Sequence, residues 1–278
     1  MPQVTNPAAE MLALCRKLKT YESGENGYGA LARVVEVDAN SAAFFLVLAA
    51  LKTRFKKLDQ LVRLAPDLSD ARKGRSLTAI AGLERIVRIT HLNQSWSPSR
   101  DDALREEHLV ALEYTGDAIA KIAKFIVPTD AERREFVSKL DEAIEAFSGA
   151  SDISAGMLVD TLATLKLLLE KLDFFGIDEL TEKLIIAGLQ LKVVGDDPAT
   201  RNPNTTAGQA WRKAAVAISL LVNCLVVPHD VAIATSDYYQ WGQTSLSWIR
   251  EQTSTEPRRL TGPQIEPGAQ IDAVPVEI

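Results

Sequence analysis

Residues 158–194, LVDTLATLKLLLEKLDFFGIDELTEKLIIAGLQLKVV, carry the pattern that decides the fold. Leu158, Leu162, Leu165, Leu169 and Leu172 recur at alternating four- and three-residue spacing, and Leu180, Leu184, Ala187, Leu191 and Val194 repeat it. That period lays each set along one stripe of a helix. Between them, Asp173-Phe-Phe-Gly-Ile-Asp178 supplies a tight turn, so the region predicts an antiparallel helical hairpin. Two heptads per arm suit pairing inside a fold rather than an extended coiled coil.

The same spacing extends outward over most of the chain, and strict alternation over a strand length is absent, so the class is all-α. We expect a multi-helix bundle of about eight or nine helices. A first helix runs from near Asn6, with Pro7 in its first turn, to about Thr20. The glycines of Gly24–Gly29 follow a helix and not a strand, so they predict a helix stop and a loop, not a dinucleotide-binding turn. Asp38 or Asn40 is placed to cap a helix that is apolar on all sides over Ala42–Leu51 and is stopped by Pro66. One long helix is expected from about Ser69 to Asn93. Another opens around Ser99 and continues through Phe125, and Thr129 with Glu132 forms a capping box for the next.

Small polar residues at Ser148–Asp152 mark the expected boundary between an N-terminal helical domain, 1–150, and a C-terminal one, 151–250. The second domain combines the hairpin, a long polar loop at Gly195–Asn204, an apolar helix up to Val226 and a last helix rich in aromatics, including Tyr238, Tyr239, Trp241 and Trp248. Prolines and polar residues over 251–278 predict a flexible tail. Within it, Ile271–Ile278 alternates apolar and polar positions around Pro275, a pattern able to dock, although the linker reading of the tail comes first.

Apolar stretches at Ala39–Leu51 and Ala214–Pro228 fall short of the roughly 20 residues of a spanning helix, so no stable membrane span is expected. Cys15 and Cys224 lie far apart among apolar neighbours and predict buried thiols in a reducing, cytoplasmic setting.

Charge is distributed unevenly. Residues 52–100 hold eleven Lys or Arg against four acids, giving +7, while the remainder carries −13, for a net −6. Lys52, Arg54, Lys56, Lys57, Arg63, Arg72, Lys73 and Arg75 are therefore the candidate binding residues for phosphates or an acidic partner. Internal neutralisation by the acidic remainder is the competing reading.

Absent motifs narrow the chemistry. No zinc-protease helix, paired Cys-x-x-Cys, di-iron Glu-x-x-His, phosphate loop or nucleophile elbow occurs, and no cofactor or metal is implied. What remains is Arg85-Ile-Val-Arg-Ile-Thr-His91 in the basic region. An imidazole near neutral pKa moves the proton of a 2′-hydroxyl, while a guanidinium stabilises phosphorane charge. Arg85, Arg88 and His91 are thus the candidate catalytic residues. The spacing resembles the arginine–histidine motif of HEPN-type helical ribonucleases, a resemblance confined to these seven residues. It implies metal-independent RNA cleavage, commonly at a dimer interface, although Ile86 stands where that family carries a polar residue. On one ideal helix, Arg85 and His91 would lie about 120° apart, so the fold or a second chain must bring them together.

Three functional expectations follow. The first is a non-enzymatic helical interaction or regulatory protein, with a protein partner, as a homo-oligomer or as a subunit of a larger assembly. The second is a protein that binds or cleaves RNA through the basic region, and the third is an effector that inserts into membranes after oligomerising.

Overall fold

Local side-chain caps set several of the helix starts. The computed structural model describes residues 3–147, 153–197, 200, 202 and 204–225, and twelve α-helices lie among them. Helix α1 (Pro7–Thr20) opens as expected, with the Asn6 side chain accepting the Ala8 and Ala9 amides at 3.0 Å and Pro7 filling the first position. The expected glycine loop is instead largely a helix start. Asn26 caps α2 (Gly27–Val35) by accepting the Gly29 amide. Helix α3 (Ala42–Leu64) is capped by Ser41; Asp38 folds its carboxylate onto the Asn40 amide and accepts the Ser41 hydroxyl on its carbonyl. The two expected cap residues therefore build the turn that presents the real one. Pro66 forces Ala65 into extended backbone, which ends α3.

Two long helices expected from periodicity are broken. Residues 69–93 divide into α4 (Asp70–Leu83), a 3₁₀ turn (Glu84–Val87) and α5 (Ile89–Leu92), with Arg88 extended at φ −78°, ψ 138°. The β-branched residues Ile86, Val87, Ile89 and Thr90 weaken the helix there, while buried Ile86 and Leu92 anchor the tightened chain. Helix α6 (Trp96–Ala103) precedes α7 (Glu106–Ile119), which stops well before Phe125. Phe125–Val127 forms strand β2, antiparallel to β1 (Gln3–Thr5), with Val4 opposite Ile126. Ile126, Val127 and the following Pro128 all disfavour helix, and the N-terminal residues supply the pairing edge.

The Thr129–Glu132 capping box launches α8 (Asp130–Ala146). Then come α9 (Ile153–Glu170), α10 (Leu172–Phe175), α11 (Ile177–Gly195) and α12 (Thr206–Leu225). The hairpin is as expected. Helices α9 and α11 pack along each other, with Leu158, Leu162, Leu165 and Leu169 buried against Leu180, Leu184, Ala187 and Leu191. Gly176, at φ +83°, makes the turn between them, a conformation that excludes most side chains. Where the Gly195–Asn204 loop is described, it folds back on α11, and the Thr200 hydroxyl donates to the Val194 carbonyl.

Helix α8 packs on α9 and α12, α1 and α4 pack on α7, and α3 packs on α4 and α10. Buried apolar side chains from Ala8 to Leu225 form one contiguous cluster across both sides of 148–152. The expected boundary itself, the aromatic helix after Pro228 and the tail from 251 lie outside the described residues. No helix among the described residues is long and apolar enough to cross a membrane.

One junction is unusually tight. A Cβ on Gly82 in α4 would overlap the His108 ring from α7, whose Nδ1 lies 3.0 Å from the Ala103 carbonyl. Gly82→Ala is expected to cost about 1–3 kcal/mol. Much of that loss returns when His108→Ala is added, as a double-mutant cycle in urea would show.

Candidate functional site

The broken helix gathers two of the three sequence-predicted catalytic residues, Arg85 and His91, onto one carboxylate. Arg85 on the 3₁₀ turn, His91 on α5 and Arg105 before α7 all converge on Asp102 near the end of α6. The Arg85 guanidinium pairs with Oδ2, the His91 Nε2 lies 3.4 Å from the same oxygen, and Arg105 reaches Oδ1 at 2.7 Å. The chain break at Arg88 thus overcomes the angular separation that a continuous helix would impose. Arg88 does not join them, because its guanidinium pairs with Glu84 at 3.0 Å. Arg105's hydrogen bond, helped by those of His91 and by the Arg85 charge and opposed by partial burial, holds the Asp102 carboxyl below the usual carboxylate range. Asp102 was not singled out from sequence. From sequence it enters only as the acid three residues after Ser99 in an expected capping arrangement, whereas both residues lie inside α6.

The cluster's chemistry is that of mutual neutralisation. His91 is only 14 % exposed, with Nε2 toward Asp102 and Nδ1 3.4 Å from the Thr90 hydroxyl, so both ring nitrogens face protein atoms. Arg85 is held by a carboxylate where a phosphate-stabilising guanidinium needs an open fork. An RNA-cleaving site built here would first have to release both groups from Asp102.

The basic region separates into engaged and open cations. Arg54, 6 % exposed, is buried on α3 and donates to the Asp173 and Phe174 carbonyls and to Glu10, so it is not a surface binding residue. Periodicity could not show this, because the two carbonyl acceptors lie more than 100 residues away and Glu10 lies 44 residues away. Lys57 bridges Asp178 and Glu182 of α11, Arg63 pairs with Asp59, and Lys73 donates to the Arg63 carbonyl. Arg100 is buried against the Tyr21 carbonyl, Glu22 and Asp101. With Arg85 and Arg88, seven of the eleven cations have partners. Lys52, Lys56, Arg72 and Arg75 are exposed and have none among the described residues.

Lys52 and Lys56 belong to a continuous outer face of α3. At 100° per residue, Phe45, Ala49, Lys52, Lys56 and Arg63 fall within about 60° of one another. The first half of this face is apolar and open at Phe45, 55 % exposed, and Leu46, about 100° further round the helix, is 51 % exposed, where a fully buried segment was expected. Phe44, Val47, Ala50 and Leu51 fill the core on the opposite side, and among the described residues the neighbouring helices leave Phe45 and Leu46 exposed. The Phe45 ring lies edge-on to Phe44, 6.0 Å between ring centroids. An apolar half followed by a basic half is a surface that matches apolar, anionic groups.

Other reactive groups are muted. Burial pushes the Cys15 thiol up to about 12, and half-buried Cys224 rises to about 11, so neither is a thiolate near neutrality. No group of His, Cys, Asp and Glu suited to a metal ion occurs among the described residues. No family model matches the chain, and no curated protein or solved structure matches it. The ribonuclease resemblance therefore stands on Arg85–His91 alone.

Proposed function

We propose that the protein is a non-enzymatic interaction module that recognises a protein partner through the outer face of α3. The observation that carries this reading is the juxtaposition of exposed Phe45 and Leu46 with Lys52 and Lys56, which lack partners among the described residues. Large aromatic and aliphatic side chains left open beside cations are typical of a surface completed by a partner. Each cation is solvated and cheap to neutralise, whereas Phe45 and Leu46 gain from losing water. Arg72 and Arg75 on α4 extend the supply of positive charge for steering an acidic partner.

The test compares two immobilised full-length chains, the natural one and Phe45→Ser/Leu46→Ser/Lys52→Glu/Lys56→Glu, matched for helix content by circular dichroism. At least one protein is expected to be retained about tenfold more by the natural chain and to elute with salt. Identical retained sets would overturn the reading. Recovery of RNA in place of protein, with binding falling steeply in salt, would transfer the face to nucleic acid.

A further inference from the structure

We infer that the partner of the α3 face is a second copy of this chain, which offers the outer face of its α7, so that copies join head to tail. The inference rests on the reading of the α3 face as a docking surface and names its occupant. Three observations carry it.

The first is that α7 carries the complementary surface. Glu106, Val110, Glu113, Tyr114 and Asp117 are all exposed, Tyr114 at 77 %. At 100° per residue, Glu106, Val110, Glu113 and Asp117 fall within about 60° of one another, and Tyr114 lies about 40° beyond Val110. They form one acidic and apolar stripe, where the α3 stripe is basic and apolar. Glu106 and Glu113 each give one oxygen to a cation of α1, Lys19 and Arg16, whereas Asp117 makes no ion pair among the described residues. Asp117 is therefore an open counterpart for Lys52 and Lys56.

The second is spacing. On α3, an apolar residue, a second one four positions on and a cation three positions further stand at Phe45, Ala49 and Lys52. On α7, Val110, Tyr114 and Asp117 hold the same intervals, with an acid in place of the cation. Two such helices laid parallel bring Phe45 level with Val110, Ala49 with Tyr114 and Lys52 with Asp117, over a rise of about 11 Å. Large opposes small at both apolar levels, which lets the side chains interdigitate. Pairing α3 with another α3 gives no such match. Parallel helices bring Lys52 onto Lys52, and antiparallel ones set the lysines over the apolar half.

The third is topology. Helices α1 and α4 each pack on both α3 and α7, while α3 and α7 scarcely meet. The two therefore stand at opposite corners of this group of four, with their outer faces directed away from each other. One copy cannot present both stripes to the same neighbour, so the contact is heterologous. Each docking leaves one α3 face and one α7 face free, and copies add in a row. A single helix-to-helix contact is smaller than the interface of a stable complex, so the association is weak and grows with concentration.

The experiment is sedimentation equilibrium of the full chain between about 5 and about 500 µM, a range suited to a weak contact. It compares the natural chain, Phe45→Ser/Leu46→Ser/Lys52→Glu/Lys56→Glu, and Val110→Ser/Tyr114→Ser/Asp117→Lys, matched for helix content by circular dichroism. A variant that loses helix is replaced by its charge changes alone, Lys52→Glu/Lys56→Glu or Asp117→Lys. The average mass of the natural chain is expected to rise about twofold or more without stopping at a dimer. Each variant alone is expected to stay monomeric. Their equimolar mixture retains one intact α3 face and one intact α7 face, so it is expected to form a 1:1 pair and stop there. A natural chain that stays monomeric throughout would overturn the inference; selective capture of another protein in the preceding experiment would then keep α3 as a docking surface, and loss of that capture would remove the surface as well. Growth that ends at a closed dimer, association that survives in either variant, or variants that do not pair when mixed would assign self-association to other surfaces and overturn the inference too.

Discussion

Replacing Glu10 by glutamine is expected to stabilise the protein by about 3 kcal/mol above pH 7 and to leave it unchanged below pH 4.5. Glu10 stands on α1 with its side chain buried beneath α3 and α11. Its Oε2 accepts from Arg54 at 3.0 Å and from the Ile177 amide at 3.4 Å, and its Oε1 has no partner among the described residues. Burial is the dominant influence and raises the carboxyl from its ordinary 4.5 to about 7; Arg54 pulls it down, while Asp178 and Asp173 push it further up. Because the folded state binds this proton more tightly than the unfolded chain, the stabilisation is complete below 4.5 and is lost as pH rises through about 7. At about 1.4 kcal/mol per unit, that interval amounts to roughly 3 kcal/mol. The amide keeps an acceptor for Arg54 without a charge to desolvate. Urea unfolding of both proteins from pH 4 to 9 gives the difference directly. A difference that stays flat, or that grows toward acid, would refute this account of Glu10. The lowered carboxyls of Asp102 and Glu106 act with the opposite sign at lower pH, and they cancel in the comparison.

Arg54→Met is expected to act in the opposite direction, destabilising the protein by about 3–5 kcal/mol at pH 8, with a smaller loss at pH 5. The Arg54 Nη1 donates to the Asp173 and Phe174 carbonyls at 2.8 and 3.0 Å, which are end groups of the short α10 helix with no continuing turn to satisfy them. Two buried acceptors left without donors cost about 1–3 kcal/mol each. At pH 8 the Glu10 carboxylate loses its counter-charge as well, whereas at pH 5 it is protonated and needs none. Gly176 turns the chain beside the Arg54 guanidinium, so the link between α10 and α11 loosens with it. Denaturation midpoints at the two pH values decide the matter. An equal loss at both would mean that the carbonyls alone depend on Arg54.

These two residues show why sequence reading separates well from some features and fails on others. Arg54 sits in a basic run and was indistinguishable there from Lys52 and Lys56. Its burial follows from α10 closing over it, 119 residues further along the chain. Arg85 and His91 were found as a pair at suggestive spacing, but Asp102, which fixes both, lay in a segment that gave no sign of approaching them. Phe45 and Leu46 looked like core because Ala42–Leu51 is apolar on every side. Which side stays open depends on how many neighbours α3 receives.

The sequence by itself determined the helical class, the α9–α11 hairpin, the Thr129 capping box and the start of α1. All rest on interactions within about four residues, and a single chain prints these directly as period and cap. Tertiary structure decided the breaks after Leu83 and Ile119, the pairing of residues 3–5 with 125–127, the knot around Asp102 and the division of the cations into engaged and open. Each depends on partners brought together from distant segments by burial of the shared core, and the energies of those contacts leave no periodic trace in the chain.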